Sequence, residues 1–348
     1  MSALGGAKPQ RRFGAKPLKP VQLASADLVR ETALSAADPL PLVLEAAAPS
    51  VDLVQWATAN RARLLELLLA HGALLFRGFA VDSAQRFAAV ARAVTPELLD
   101  YLERAAARTE VAPQIFTSTE LAADQWIPHH HEMSYSHHWP QHIWFYCEVP
   151  PAEGGRTPIA GERSFFPALD RAIVRRFTER GVMYMRNYGA GLDLSWQDAF
   201  QTTDPAEVEA YCRESNAAFE WTPTGLRTRQ VRQAVATHPL TGEVVWFNHA
   251  HLFHDSNLAP EIREVLLAAF GSEGLPRNAY YGDGTPIEPA VLEEIRAGYR
   301  ACTVTFPWRA GDVLLVDNLL AVHGREPYRG ARRILVAMSG LCGTQVPR

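Results

Sequence analysis

Apolar residues recur along this chain with two different periods, and each period predicts a different kind of element. From Leu53 to Leu68 they follow helical spacing, with Ser50 as a candidate N-cap and Gly72 as the stop. A short apolar run over residues 73–76 then predicts a strand. Two further helix starts are predicted, one from the capping pair Asp82 and Gln85 and one from Thr95-Pro96.

The pattern changes from Trp126 onward, where short β-branched or aromatic runs stand between Pro and Gly residues. The runs that predict strands are 143–147, 244–247, 302–306, 313–317 and 334–338. Helical segments interrupt them at 166–180, 205–214, 260–270 and 289–300. This pattern indicates a mainly β fold with flanking helices (α+β), built around a double-sheet core of the jelly-roll kind.

The composition is that of an ordinary globular protein, with 348 residues, 47% of them hydrophobic, and a net charge of −4. The near balance of charge gives no reason to expect nucleic acid or a membrane surface as a partner. No apolar run approaches the roughly 18 residues that a membrane span needs. We expect one domain over residues 21–348, preceded by a basic, flexible tail over residues 1–20 that carries no acid.

The cysteines indicate a reducing compartment. Cys147, Cys212, Cys302 and Cys342 are scattered without paired spacing, which argues against a disulfide framework and against a zinc ribbon. The N-terminus lacks the apolar core of a secretory signal. We therefore expect a cytoplasmic protein, and the sequence gives no indication of its oligomeric state.

Candidate metal ligands stand at His130, Glu132 and His323. His130 and Glu132 are two residues apart, so an extended segment projects both to one side, whereas a helix would splay them. Two imidazoles and one carboxylate suit ferrous iron and leave half of its coordination sphere open. Alone, the His-x-Glu motif fits a structural role equally well, and the run from His129 to His131 contains a second pair at that spacing. Only His130 shares a face with Glu132.

Arg332 and Arg333 begin a strongly apolar strand, so one of the two must face inward, where a guanidinium needs an anion. Arg333, ten residues past His323, is our candidate for binding a dicarboxylate co-substrate. Guanidinium suits that task because it binds carboxylate in a two-pronged way. A salt bridge to a core carboxylate is the alternative.

Several separated motifs carry a resemblance to a known family. They are His130-His131-Glu132-Met133-Ser134-Tyr135, Phe145-Tyr146-Cys147-Glu148, Gly154-Gly155-Arg156-Thr157-Pro158, Arg186-Asn187-Tyr188, residues 246–254, His323-Gly324-Arg325 and Arg332-Arg333-Ile334. In this order, over roughly residues 10–345, they resemble the TauD/TfdA (taurine dioxygenase-like) family of iron(II)/2-oxoglutarate-dependent oxygenases. The similarity is greatest to the clavaminate-synthase-like and syringomycin-type amino-acid hydroxylases.

The resemblance implies a distorted double-stranded β-helix, a jelly roll of cupin-like form. It further implies Fe(II) held by His130, Glu132 and His323, with 2-oxoglutarate and O2 as co-substrates. Arg333 would bind the distal carboxylate of 2-oxoglutarate, with the Thr157 hydroxyl as a second contact. A glutamate at position 132, where taurine dioxygenase has aspartate, favours amino-acid substrates over sulfonates.

The expected reaction is hydroxylation of an unactivated C–H bond of an amino acid, either free or attached to a carrier protein. Arg186, Asn248 and His251 are the tentative substrate contacts, each with a structural role as the alternative. Desaturation or cyclisation by the same kind of enzyme remains open. A zinc hydrolase is disfavoured because His-Glu-x-x-His is absent, and a metal-binding β-barrel without turnover is disfavoured by the complete ligand set.

Overall fold

The computed structural model describes residues 28–34, 40–189 and 193–343. The basic tail predicted over residues 1–20 lies outside the described residues. Within these ranges there are twenty strands: β1 (Val29–Ala33), β2 (Leu42–Ala46), β3 (Ala73–Arg77), β4 (Glu110–Ala112), β5 (Ile115–Thr117), β6 (Ile127–His130), β7 (His138–Val149), β8 (Glu153–Gly154), β9 (Ile159–Gly161), β10 (Val182–Gly189), β11 (Ala217–Thr222), β12 (Gly225–Arg232), β13 (Val235–Thr237), β14 (Val244–Trp246), β15 (Arg277–Tyr281), β16 (Thr303–Val304), β17 (Val313–Asp317), β18 (Ala321–Arg325), β19 (Tyr328–Arg329) and β20 (Arg333–Gly343).

Ten α-helices stand between these strands in the same described ranges. They are α1 (Leu53–Ala59), α2 (Arg61–His71), α3 (Ala84–Val94), α4 (Glu162–Phe165), α5 (Arg171–Arg180), α6 (Trp196–Phe200), α7 (Pro205–Glu214), α8 (Ala250–Phe253), α9 (Pro260–Phe270) and α10 (Pro289–Ala301). None of the helices in the described part of the chain is both long enough and apolar enough to cross a bilayer.

Two facing sheets form the centre of the fold. The major sheet has the order β1-β2-β3-β17-β7-β20-β5-β4, and the minor sheet has the order β16-β9-β18-β6. One apolar cluster lies between them, with Leu75, Phe145 and Val336 from the major sheet and Ile159 and Ala321 from the minor sheet. Alternate residues of each strand therefore line the space between the sheets, as period-2 side-chain direction requires.

Helices cover the outer faces of both sheets. The first three helices pack on the major sheet, where Leu64 and Phe87 meet Phe76 and Trp144. On the minor sheet, Phe177 of α5 and residues of α10 cover Val322. A further sheet with the order β11-β12-β10-β15 contributes to the same apolar cluster. The predicted mainly β class with flanking helices and a jelly-roll core is confirmed.

The helix starts predicted at Pro205, Pro260 and Pro289 are confirmed, but the three predicted before residue 100 were inaccurate. Asp52, not Ser50, caps α1 through its side chain, and Ser83 rather than Asp82 caps α3. The helix predicted from Thr95-Pro96 is wrong, because residues 96–100 are not helical. The backbone there pairs with β20 instead, where Leu98 forms a β-bridge with Ser339 and the Leu99 N–H donates to the Met338 carbonyl.

Candidate active site

Two histidines meet across a pair of strands in the minor sheet. His130 at the end of β6 is the register partner of His323 in β18, and their ring centroids are 4.4 Å apart. Glu132 follows two residues after His130, just before a turn in which Met133 has a positive φ of 58°. One ligand atom from each of the three side chains lies within 4.8 Å of the others, so these residues could hold a metal ion. We call His130, Glu132 and His323 the metal cluster.

Asn318 fixes the backbone of Glu132. Its carboxamide oxygen accepts the Glu132 N–H at 2.6 Å, and its amide group donates to the carbonyl oxygens of Glu132 and Pro140 at 2.9 and 2.8 Å. Asn318 is fully buried. Asn318 thus holds the main chain of Glu132 through two hydrogen bonds and is itself anchored to Pro140 by a third. Sequence analysis did not identify Asn318.

Both histidines of the cluster are neutral, which is the form that can ligate a metal. Burial, together with the nearby His323, lowers the pKa of His130 to about 3. Burial also lowers the pKa of His323. Nδ1 of His130 lies 2.9 Å from the carbonyl oxygen of Pro128. If Nδ1 carries the proton and donates it there, Nε2 keeps a free electron pair for a metal.

Glu132 is ionised although it is buried. Burial alone would raise its pKa, but the Arg108 guanidinium, with a smaller contribution from the nearby His323, holds that pKa well below its ordinary value. Arg108 donates to both carboxylate oxygens at 3.0 and 3.1 Å, and the Tyr101 hydroxyl donates to Oε1 at 2.9 Å. Neither Arg108 nor Tyr101 was predicted as a site residue, because both come from a segment without a recognisable motif.

A second group of residues lines the same cavity as the two histidines, and consists of Thr157, Arg325 and Arg332. We call it the cationic group. Arg325 is buried and donates to four backbone carbonyl oxygens. Arg332 donates to the Gly155 carbonyl and to the Ser118 hydroxyl. Among the described residues, no carboxylate lies within ion-pair distance of Arg325 or Arg332.

The pKa of Arg332 reflects this lack of a counter-ion. Burial, and then the positive charge of Arg325, lower it to about 10. The guanidinium is still charged at neutral pH. Thr157 is also buried, and its hydroxyl oxygen accepts the indole N–H of Trp308 at 3.0 Å. The group therefore offers two cations and a hydroxyl to an anion entering the cavity.

The structure corrects the expectation for Arg333. Its side chain is 51% exposed and pairs with Glu148 at 2.7 Å, outside the cavity. Arg332 directly precedes β20 and lines the cavity together with Val336, whereas Arg333, the first residue of the strand, is exposed. The strand pairing is irregular between Arg333 and Ile334, so the two arginines point in different directions at the start of the strand.

The three tentative substrate residues lie in different places. Arg186 is buried, with its guanidinium 4.4 Å from the ring of Tyr188 and 5.9 Å from that of Tyr135. Asn248 bonds the backbone of Ala234 and Ala250. His251 contacts the His129 carbonyl oxygen through Nε2, on the side of β6 away from the metal cluster. None of the three lines the cavity of the metal cluster.

Comparison with known proteins identifies a family that matches most of this chain. Residues 36–339 match the family described as Taurine catabolism dioxygenase TauD, TfdA family. The dapdiamide synthesis protein DdaC of Enterobacter agglomerans is 40% identical over 307 residues, which cover 86% of this chain and 93% of that protein. The clavaminate synthase-like protein of Arabidopsis thaliana is 32% identical over 287 residues, or 78% of this chain and 82% of that protein.

A solved structure shares the fold. PvcB of Pseudomonas aeruginosa superposes with a TM-score of 0.52 at 18% identity, over 92% of this chain and 94% of that chain. PvcB is described as an Fe, alpha-ketoglutarate dependent oxygenase from an isonitrile synthetic pathway. The expected cupin-like core, a distorted double-stranded β-helix, is thereby confirmed. The chain belongs to the Taurine catabolism dioxygenase TauD, TfdA family, and it is an iron(II)- and 2-oxoglutarate-dependent dioxygenase that uses O2.

Proposed function

We propose that this enzyme hydroxylates an unactivated C–H bond of an amino acid, either free or attached to a carrier protein. His130, Glu132 and His323 hold the iron, and Arg332 with Thr157 binds the distal carboxylate of 2-oxoglutarate. One observation carries the proposal. The metal cluster shares its cavity with a guanidinium that has no ionic partner among the described residues. Family membership argues against the zinc hydrolase and the binding protein without turnover.

The residues present fit this cofactor. Two neutral imidazoles and one ionised carboxylate are the donor set expected for non-haem iron(II), and they leave three of six positions for other ligands. The chemistry that such a centre supplies is oxidative decarboxylation of 2-oxoglutarate to succinate and carbon dioxide, coupled to oxygenation of a substrate C–H bond by O2. The protein contributes binding, orientation and exclusion of water.

Each part of the site has a separate task in this proposal. Arg332 fixes the far end of the co-substrate, as guanidinium groups do for carboxylates. Thr157 adds a hydrogen bond at the same end. Phe145, whose ring lies 5.0 Å from that of His323, and Val336 provide apolar walls that exclude water from the reacting atoms.

Arg186 is our candidate contact for an anionic group of the substrate. It is 1% exposed, and its NH2 group pairs with Asp193 at 3.5 Å and donates to the Arg104 carbonyl at 3.1 Å, whereas Nε and NH1 have no hydrogen-bond partner among the described residues. A buried, incompletely paired guanidinium favours an anionic ligand. Tyr135, whose ring it approaches, also packs against His249, and His249 packs against His130. This chain of contacts supports a substrate region beside the metal cluster. Asn248 and His251 are left out of it, because the carboxamide of Asn248 bonds backbone through both its nitrogen and its oxygen and His251 lines a different cavity.

The relatives support a role in building a small molecule. DdaC is a dapdiamide synthesis protein, and the plant relative is clavaminate synthase-like. We infer a small-molecule substrate, and a cytoplasmic location in keeping with cysteines that form no disulfide. Desaturation or cyclisation would need the same iron and co-substrate, so only analysis of the product separates these reactions from hydroxylation.

The test begins with anaerobic addition of iron(II) and 2-oxoglutarate to the purified chain. A weak visible charge-transfer band is expected, and it should be lost in His323→Ala. Amino acids and aminoacyl carrier proteins are then screened for succinate release above the uncoupled rate, and products are identified by mass. A product heavier by one oxygen atom supports hydroxylation. Loss of two hydrogen atoms would instead indicate desaturation or cyclisation, and amino-acid substrates that never raise the rate would contradict the proposal.

A further inference from the structure

The carboxylate of Glu132 has partners beyond the two histidines. Arg108 reaches it from the segment before β4, and its side chain is 5% exposed. Its guanidinium lies 4.5 Å from the centre of the Tyr101 ring, and the Tyr101 hydroxyl also bonds the carboxylate. A guanidinium and a phenol that contact each other thus both bind this buried carboxylate.

The two oxygens of this carboxylate are not equivalent. Oε1 accepts both the Tyr101 hydroxyl at 2.9 Å and the Arg108 NH2 group at 3.0 Å. Oε2 has only the longer Arg108 contact at 3.1 Å, and it lies 3.6 Å from Nε2 of His323. Oε1 is therefore occupied by donors of the protein, and Oε2 faces the histidines.

We propose that Arg108, assisted by Tyr101, is a positioning residue of the metal site. It holds Oε1 of Glu132 so that Oε2 is presented, together with His130 and His323, to one divalent cation. This inference rests on the ligand assignment in the proposed function and does not depend on the substrate. Partners that orient a metal ligand commonly contribute 10- to 100-fold to metal affinity, although they never touch the metal.

Arg104 provides a matched control on the same segment. Its guanidinium lies 5.8 Å from the Tyr101 ring, and it donates to the backbone carbonyls of Tyr101 and Arg108. It makes no hydrogen bond or ion pair with Glu132 among the contacts of the described residues. A purely structural role in holding residues 101–108 would make Arg104 as important for metal binding as Arg108.

The experiment measures cobalt(II) binding to the full-length, metal-free chain, by calorimetry and by the visible absorption of bound cobalt, without turnover. In Arg108→Met the dissociation constant should rise about 10- to 100-fold. Arg108→Lys keeps the charge and should restore part of the affinity. Tyr101→Phe removes one donor to Oε1 and should weaken binding several-fold. Arg104→Met should bind like the wild type.

The outcomes separate this inference from the ligand assignment. Loss of cobalt binding in His323→Ala together with wild-type affinity in Arg108→Met would overturn the role of Arg108 alone. Equal losses in Arg108→Met and Arg104→Met would also overturn it, because the segment would then act only as a support. Unchanged binding in His323→Ala would overturn the ligand assignment itself. Should Arg108→Met fail to fold, Tyr101→Phe decides, and wild-type affinity in that variant contradicts the inference.

Discussion

The two histidines of the metal cluster and the cationic group line one cavity, but the charges of the two groups are balanced differently. In the metal cluster, the negative charge of Glu132 is met by Arg108 and Tyr101, and Asn318 holds its backbone. In the cationic group, the hydrogen-bond partners of Arg325 and Arg332 among the described residues are all neutral oxygen atoms, and both guanidinium groups also lie against the Tyr328 ring.

This difference shows in which part of the site residues of the chain balance the buried charge. A buried charge is costly unless it is paired and hydrogen-bonded. The metal cluster meets that condition with residues of the chain, so its geometry can exist before any ligand arrives. The cationic group does not meet it, and in the proposed function an incoming dicarboxylate would supply the missing negative charge. Four substitutions, taken from the largest expected effect to the smallest, test this contrast.

Removing the carboxylate of the metal cluster should have the largest effect. Glu132→Ala takes away one of three ligands and leaves the buried Arg108 without its ionic partner. Succinate formation should fall to the background of metal-free protein, measured with iron(II) and 2-oxoglutarate in excess. Glu148→Ala, which removes a glutamate outside the cavity, is the control. Substantial activity in Glu132→Ala would exclude Glu132 as an essential ligand.

Arg332→Leu should mainly affect co-substrate binding. Loss of one partner from a buried ionic contact costs about 2–5 kcal/mol, which is about 30-fold or more in affinity. The KM for 2-oxoglutarate should rise by that factor while cobalt(II) still binds. Arg333→Leu is the matched control, since its guanidinium lies outside the cavity. The opposite result, with Arg333→Leu impaired and Arg332→Leu normal, would restore the assignment made from sequence.

Asn318→Ala tests whether the metal cluster is held by its backbone. The Glu132 N–H loses its acceptor, and we expect metal affinity to fall about tenfold, as for other partners that orient ligands. Asn278→Ala is a suitable control, because Asn278 is likewise buried and accepts backbone N–H groups, at Asp255 and Ala279. Both variants should lose stability in thermal unfolding, but only Asn318→Ala should lose cobalt affinity.

Thr157→Val should have the smallest effect of the four. Loss of a hydrogen bond to a charged carboxylate costs about 1.5 kcal/mol at the lower end of the usual range, so with Arg332 still in place the KM for 2-oxoglutarate should rise about tenfold. Thr157→Ser keeps the hydroxyl and should stay near the wild type. A larger rise than in Arg332→Leu would mean that the hydroxyl, and not the charge, dominates binding at this end of the co-substrate.

Local sequence carried much of the information about the fold and the metal cluster. The spacing of His130 and Glu132 indicated a shared face, and the structure brings both residues to His323. The helices α7 and α9 begin and end where the sequence predicted. Short-range patterns are sufficient in such cases, because the residues that interact lie within a few positions or on a single strand face.

For the choice between Arg332 and Arg333, the sequence contained a signal that was not used. Residues 334, 336 and 338 are apolar and face the inner cluster, so alternation alone indicates that position 332 points inward. Arg108, Tyr101 and Asn318 are different. They reach Glu132 from positions 24, 31 and 186 residues away, and no local periodicity encodes such contacts.

The hydrogen bonds between Asn318 and the Glu132 backbone also fix the position of the run of three histidines. A shift of that run by one position would bring His129 or His131 opposite His323 and move the glutamate out of reach. Asn318 binds both the amide N–H and the carbonyl of Glu132, and its own carbonyl oxygen lies 2.5 Å from Nδ1 of His131. These contacts allow only one register of the segment. An inserted or deleted residue between Ile127 and Glu132 should therefore abolish metal binding even when all three histidines are kept.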